Sequence, residues 1–254
     1  MSRTLKKMIE QNAYQHSPIK VFSDFVEMSA IAISNSVDKA QFGGREKRYL
    51  NIIGQYEKDE QKRFGEMFAE LVNEMEQNSR DVLGDLFMDM GFGNDRSGQF
   101  FTPMSVCDVM SQICIDQHEI GEIIRTRGFV TCCDPACGAG ALPIAFALQL
   151  HAAGFNRQKH LHVTAWDVDV RVVHMCYLQL SLLGVPAMVV HGNTLSLQTY
   201  DHWFTPMHIL HGWTWRLRKG EEKQRESHET DVFPPVPPGS GSVRGLKPGQ
   251  LSLF

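Results

Sequence analysis

The chain has 254 residues, of which 43% are hydrophobic and 21% charged, as in ordinary globular proteins. Its formal net charge of −4 gives no general attraction to nucleic acid, so a DNA partner would require a local basic face. No run of about 18 apolar residues occurs, and the first residues lack the apolar core of a signal peptide. We therefore expect no membrane span and a cytosolic location.

Cysteines and histidines cluster in two places, which raises the question of a metal: Cys132, Cys133 and Cys137, and His202, His208 and His211. No Cys-x-x-Cys pair is present, and adjacent residues of a strand point to opposite faces. The histidines include a His-x-x-His pair but have no cysteine nearby in the sequence. Buried thiols and ordinary histidines are therefore expected, and no metal site is predicted.

The first part of the chain, residues 1–97, is predicted to be helical. Apolar residues recur at spacings of three and four in 19–34, 45–56 and 63–76. The pair Gly43–Gly44 indicates a break between helices. A helical packing domain and a direct DNA contact are both compatible with this pattern, and the packing role is favoured.

A polar, glycine-containing loop at 91–97 leads into Gly98-Gln99-Phe100-Phe101-Thr102-Pro103. Thr102 offers a hydroxyl to a carboxylate, and Pro103 suits the first turn of a helix predicted over 104–115. An aromatic-rich loop that merely caps this helix is the alternative interpretation.

The stretch that organises the chain is Asp134-Pro135-Ala136-Cys137-Gly138-Ala139-Gly140. It follows a predicted strand at 129–134 and precedes a predicted helix that begins at 141. A strand, a glycine turn and a helix start let a ligand approach the backbone closely. The spacing matches neither the dinucleotide-binding fingerprint nor the phosphate-binding P-loop.

Two further strands are predicted after the glycine turn, at 161–167 and 187–191. The first ends in Asp167, and in a doubly wound sheet such an acid reaches the ribose hydroxyls of a nucleoside cofactor. Asp169 is the second candidate for this role, and either acid could instead cap the helix predicted over 171–183. The other strand runs into Gly192-Asn193-Thr194-Leu195.

Together these segments resemble the N-6 adenine DNA methyltransferases, and the modification subunits of type I restriction systems in particular. The resemblance implies an α/β, Rossmann-like core that binds S-adenosylmethionine (SAM) and follows a helical region. It implies that Val168 lies against the adenine of SAM and that Asn193 replaces an acid that contacts the adenine amine. The SAM-binding residues so implied are Phe101, Thr102, Pro103, Asp134, Pro135, Ala136, Gly138, Gly140, Asp167, Val168, Asn193 and Thr194.

The catalytic segment of that family, Asn/Asp-Pro-Pro-Tyr/Phe, is absent from this sequence. The corresponding region, 200–208, contains aromatic residues, an acid and one proline in another arrangement, so the catalytic residues stay unknown. The domain predicted over 98–215 also leaves no room for the remaining strands of a full methyltransferase. Either a partner completes the fold, such as a specificity or completing subunit, or the domain is a shortened one.

The last residues, 216–254, are charged and then rich in proline, glycine and serine, which predicts a flexible tail. The tail ends in Gln250-Leu251-Ser252-Leu253-Phe254, which resembles the pentapeptide that docks proteins on the bacterial replicative sliding clamp. Gln250 would be the polar anchor, and Leu253 and Phe254 would fill an apolar pocket. A chance apolar terminus is the alternative. The resemblance implies a bacterial, plasmid or phage setting and the bacterial cytoplasm.

These observations favour a SAM-dependent DNA methyltransferase of restriction-modification type, specific for adenine N-6 and delivered to replicated DNA by the clamp. A catalytically inactive protein of the same descent, which binds SAM, DNA or a partner subunit, is the second hypothesis. A methyltransferase that acts on RNA or protein is the third.

Overall fold

The computed structural model describes residues 3–93 and 101–220. In chain order, the elements are α1 (Arg3–Asn12), α2 (Pro18–Val37), α3 (Phe42–Ile53), α4 (Lys58–Gln77), α5 (Val82–Asp89), α6 (Met104–Cys114), α7 (Gln117–Arg127), β1 (Val130–Asp134), α8 (Ala141–Ala152), α9 (Arg157–His160), β2 (Leu161–Asp167), α10 (Val170–Leu182), β3 (Ala187–Asn193), β4 (Gln198–Phe204) and α11 (Pro206–Leu210). Residues 213–220 are also helical. The segment Gly98–Phe100 and most of the predicted tail, with its terminal pentapeptide, lie outside the described residues.

The four strands form one sheet in the order β1-β2-β3-β4. The first three are parallel, with Asp134 opposite Ala165 and Asp167 opposite His191. β4 returns antiparallel to β3, and a register shift at His191–Gly192 interrupts this pairing. The protein is therefore a mixed α/β structure with a mostly parallel sheet.

The two faces of the sheet are covered unequally. Since β-α-β crossovers are right-handed, α8 and α10 lie on the same face, where Val163, Ala165 and Val189 are fully buried. On the other face Thr131 and Thr164 are only half-buried, and Cys133 is exposed. One face is thus a conventional core, and the other is partly open.

The N-terminal helices share a continuous apolar core with the sheet domain: Phe22 of α2, Met67 of α4 and Phe87 of α5 are buried in the same cluster as Val163. A buried cation adds a polar tie. Arg45 of α3 donates to the carbonyl oxygen of His202 at 2.8 Å, and its guanidinium lies 3.7 Å from the centre of the Trp203 ring. The helical region therefore supports the sheet by packing.

The three predicted strands are confirmed, because runs of β-branched and apolar residues are distinctive. The predicted break at Gly43–Gly44 is wrong, since both glycines lie in the first turn of α3. The chain breaks earlier, at 38–41. β4 was not predicted at all, because its sequence mixes polar and aromatic residues on a half-buried edge. No helix in 3–93 or 101–220 is long and apolar enough to cross a membrane.

Candidate SAM-binding edge

Three strands end at one edge of the sheet with a polar side chain each: Asp134 on β1, Asp167 on β2 and Asn193 on β3. Because the strands are parallel and adjacent, their carboxyl ends meet there. We call this end of the sheet the carboxyl edge. It is where open α/β sheets bind ligands, so it defines the candidate site.

A direct hydrogen bond joins the glycine turn to β2. The backbone N–H of Gly138 donates to Oδ2 of Asp167 at 2.9 Å, and the N–H of Asp169 donates to Oδ1 at 2.9 Å. Each carboxylate oxygen still has a lone pair for a further donor. Asp167 therefore holds the turn and can accept hydrogen bonds from a ligand at the same time.

The glycine turn has a backbone shape that side chains would disturb. Gly138 and Gly140 have φ values of +53° and +100°, in the left-handed region that favours glycine. A Cβ added at Gly138 would lie 3.1 Å from the ring of Phe101, and one at Gly140 would lie 3.0 Å from the sulfur of Cys176. Both glycines are thus required by close approach, and Phe101 lies directly over the turn.

Asp134 is a buried acid at the end of β1, with 8% of its surface exposed. Its Oδ1 accepts a hydrogen bond from the N–H of Ala136 at 3.1 Å. Burial raises the pKa of the Asp134 carboxyl, and the negative charge of Asp167 raises it further. Two carboxyl groups thus lie close together at the edge, and a ligand that donates hydrogen bonds or carries positive charge would relieve their repulsion.

The segment after β3 is attached to the glycine turn as well. The hydroxyl of Thr194 donates to the carbonyl oxygen of Pro135 at 2.6 Å. Asn193 differs from the expectation, because its Oδ1 accepts from the N–H groups of Leu195 and Ser196, at 3.0 and 3.2 Å, within its own turn. Both lone pairs of this oxygen are therefore occupied in this conformation.

The other predicted site residues lie around this centre. Thr102 and Pro103 are exposed, and Pro103 occupies the N-cap position of α6, just before its first turn. Val168 is 62% exposed at the edge, open to a ligand. Asp169 caps α10 by accepting from the N–H of Arg171 at 2.9 Å, so the expected capping role belongs to Asp169 and not to Asp167.

A buried polar bridge connects the helical region to the glycine turn. Gln179 of α10 is fully buried, and its Nε2 donates to the carbonyl oxygen of Ala139 at 2.9 Å and to Oδ1 of Asp81 at 2.7 Å. Its Oε1 accepts from the N–H of Leu83 at 3.0 Å. Asp81 caps α5, and burial raises the pKa of its carboxyl to about 6. The bridge fixes the position of the turn.

This bridge was missed in the sequence, although two signals for it are present. Gln179 is a polar residue within a run of buried side chains, Val172–Leu180, and Asp81 stands immediately before a helix. Gly192 was also given no role of its own. A Cβ there would lie 2.5 Å from the carbonyl oxygen of Gln198, so glycine is needed where β4 turns back on β3.

A family model described as N-6 DNA Methylase matches residues 78–214. The chain belongs to the N-6 DNA methylase family. No curated protein and no solved structure matches it. The matched residues include α5 and the bridge from Asp81 to Gln179 as well as the whole carboxyl edge, so the family pattern and the geometry coincide.

β4 and α11 occupy the region that corresponds to the catalytic segment of this family of DNA methylases. Tyr200 is half-exposed near the carboxyl edge, but Trp203 is buried against His174 and Tyr177, and Asp201 forms an ion pair with Arg45 at 3.8 Å. Since β4 runs antiparallel to β3, residues after Tyr200 lead away from the site. The described residues therefore present no replacement for the missing tetrapeptide.

Among His202, His208 and His211, His208 is buried and pairs with His162 of β2. Nε2 of His162 lies 2.9 Å from Nδ1 of His208, whose Nε2 lies 2.9 Å from the Thr214 hydroxyl. Burial lowers the pKa of His162 to about 3 and that of His208 to about 4, which keeps both rings neutral. In 3–93 and 101–220, no group of three or more histidines, cysteines or acids could hold a metal ion.

Proposed function

We propose that this chain is the SAM-binding part of an adenine-specific N-6 DNA methyltransferase with a Rossmann-like core. The observation that carries the proposal is the meeting of Asp134, Gly138 and Asp167 at the carboxyl edge, in a chain that belongs to the N-6 DNA methylase family.

The residues at this edge fit SAM chemically. Asp167 keeps lone pairs for the two ribose hydroxyls, and the exposed Val168 offers an apolar surface to the adenine ring. The glycine turn admits a ligand against the backbone, beneath the ring of Phe101. Asp134 is a buried carboxylate that accepts from the N–H of Ala136 in the turn, and it suits the positively charged methionine end. Thr102 and Thr194 would border that end.

When bound, SAM supplies an electrophilic methyl group on a sulfonium centre. The chain's own contribution is positional: the turn and its bridges hold the cofactor edge rigid, because Gly138, Pro135 and Ala139 each have a backbone group tied by a side chain. Such fixed placement is how proteins accelerate an in-line transfer between two bound groups. The acidic residues of the edge attract the positively charged sulfonium of SAM. They attract the product less, because its sulfur is uncharged after the methyl group has been transferred.

We further propose that a partner chain, such as a specificity or completing subunit, supplies the Asn/Asp-Pro-Pro-Tyr/Phe segment. The free edge of β1 supports this proposal. Among the described residues β1 pairs with β2 alone, so the outer edge of β1 offers backbone N–H and C=O groups to another strand. The partly open sheet face beside it, with Thr131, Cys133 and Thr164, would be covered at the same time.

We also propose a restriction-modification setting in bacteria, with recruitment to replicated DNA by the sliding clamp. The proposal is supported by the likeness of Gln250–Phe254 to the clamp-binding pentapeptide. A short binding peptide linked to a folded domain can dock on a second protein while the domain engages its own ligand.

A second candidate function has its own support. An inactive methylase relative that binds SAM or DNA is favoured by the absent tetrapeptide and by Asn193, whose oxygen is engaged in its own turn. Its distinguishing outcome is SAM binding without methylation in any combination of subunits.

Two measurements test the proposal. Calorimetric titration of the chain with SAM should give saturable one-to-one binding, and absence of binding would refute the assigned edge. Modification-sensitive long-read sequencing should then reveal a new methylated adenine motif in DNA from a methylase-free bacterial strain that co-expresses this chain with its genomic neighbours. SAM binding without such a motif would support the inactive relative.

A further inference from the structure

A group of basic side chains lies at the opposite end of the sheet, where the strands begin. Arg127 closes α7, Lys159 lies in α9 just before β2, and Arg216 and Lys219 lie in the helical residues 213–220. We call these four residues the amino-edge basic patch.

Direct contacts hold the patch together around one ring. The guanidinium carbons of Arg127 and Arg216 lie 4.8 and 5.6 Å from the centre of the Phe129 ring. Nη2 of Arg216 donates to the carbonyl oxygen of Lys159 at 2.7 Å, and its guanidinium lies 3.8 Å from the Trp213 ring. Aromatic stacking restricts the rotamers of Arg216, so its remaining N–H groups are preorganised.

Three of the four patch residues, Lys159, Arg216 and Lys219, lie in segments without acidic residues. No Asp or Glu occurs in 135–166 or in 202–220, although the chain as a whole is acidic. Within 3–93 and 101–220, Lys159, Arg216 and Lys219 have no carboxylate within 4.0 Å. Burial lowers the pKa of the nearby His160, and the charges of Arg216 and Lys159 lower it further. A cluster of this kind favours an anionic ligand.

We propose that the amino-edge basic patch binds the phosphate backbone of duplex DNA, as a contact separate from the carboxyl edge. The choice of DNA among polyanions rests on the proposed function. Guanidinium and ammonium groups on several chain segments match a row of phosphates, and an exposed indole, Trp215, extends the surface beside Lys219.

The position of the patch determines which DNA it would hold. The seven residues of β2 separate the two ends of the sheet, which is about 20 Å at roughly 3.3 Å per residue. This distance corresponds to about six base pairs of duplex at roughly 3.4 Å each. The patch would therefore contact DNA that flanks the methylated site, without reading bases, and would increase affinity for any sequence.

The experiment measures DNA binding by the full chain without SAM, because Glu221 and Glu222 follow the patch in sequence and their charges must be present. A fluorescent duplex of arbitrary sequence is titrated by anisotropy between about 50 and 200 mM salt. The test variant is K159Q/K219Q, two exposed lysines of the patch, and the matched control is K47Q/K62Q, two exposed lysines of the helical region.

If both patch lysines contact phosphates, the slope of log affinity against log salt becomes shallower by about 1.8, at about 0.9 per phosphate contact. The control should keep the wild-type slope. Equal slopes in all three proteins would overturn the proposal, and so would an equal loss in both variants, which reports net charge alone. Absence of DNA binding by the wild-type chain would overturn it as well.

An acidic protein is the competing ligand, and polyglutamate serves as its probe. If polyglutamate displaces the duplex at equal charge concentration, and K159Q/K219Q abolishes this, the patch is a protein-binding surface and the proposal is wrong. SAM titration of the same variant separates the two proposals. If K159Q/K219Q keeps its SAM affinity and loses DNA affinity, the result supports DNA binding by the patch. If the wild-type chain binds DNA but not SAM, the proposal for the patch stands and the proposal of a SAM site at the carboxyl edge is refuted.

Discussion

The buried Asp81 carboxyl gives a prediction about the pH dependence of stability. Oδ1 accepts from both the N–H of Gly84, at 2.8 Å, and Nε2 of Gln179, at 2.7 Å. Asp81→Asn keeps this acceptor and replaces the other oxygen by an amide nitrogen. The variant therefore removes an ionisable group and retains the bridge to the glycine turn.

The magnitude follows from the shift in pKa. Burial raises the pKa of Asp81 from 3.8 to about 6, so the folded state binds the proton more tightly than the unfolded state. The stabilisation is complete below the unfolded pKa and is lost as the pH rises through the folded one. The whole loss is about 3 kcal/mol, and about 2 kcal/mol of it falls between about pH 4.5 and 8.

The assay is urea unfolding followed by circular dichroism at several pH values. We expect the free energy of unfolding of Asp81→Asn, relative to wild type, to rise by about 2 kcal/mol between about pH 4.5 and 8. A fixed cost of burying the new amide shifts all values equally and does not alter this rise. Asp85→Asn, a more exposed acid of the same helix, should follow wild type. Parallel curves for wild type and Asp81→Asn would refute the reasoning.

Three further predictions concern ligands. Asp167→Ala should weaken SAM binding at least tenfold by calorimetry, about 1.4 kcal/mol, and unchanged affinity would remove Asp167 from the site. Gly138→Val should abolish SAM binding, because φ at Gly138 is +53° and the new side chain meets Phe101. The control is Gly65→Ala, at a glycine with open space around it. SAM binding by the valine variant would contradict a close approach of the cofactor to the backbone. Deletion of residues 250–254 should abolish clamp binding in surface plasmon resonance while the thermal midpoint stays constant, and equal binding with and without them would refute the clamp proposal.

The carboxyl edge was accessible from sequence because its chemistry is local. Asp134, the glycine turn and Asp167 each stand next to a strand or a helix start, and strand order alone brings them together. A cap of α10 by Asp167 or Asp169 was predicted for the same reason, since a cap acts within two or three residues, and the cap is Asp169.

What sequence did not reveal depends on contacts between distant segments. Gln179 and Asp81 are 98 residues apart, and nothing in either neighbourhood indicates the other. The position of Asn193 depends on the four-residue turn 194–197, which forms only when β4 pairs with β3. Arg45, Trp203 and their contacts likewise depend on how the helical region packs against a strand that was not predicted.

Cys133 has a practical consequence for following this molecule in solution. Of the six cysteines it alone has an exposed surface; four are buried and Cys114 is half-buried. Burial of its sulfur and the neighbouring Asp134 raise the pKa of the Cys133 thiol, so coupling to a maleimide or iodoacetamide dye will be slow at neutral pH and faster in mild alkali. Brief labelling should therefore place a single fluorophore on β1 without mutagenesis. Its emission would report directly on any strand that docks beside it and on the occupancy of the adjacent turn.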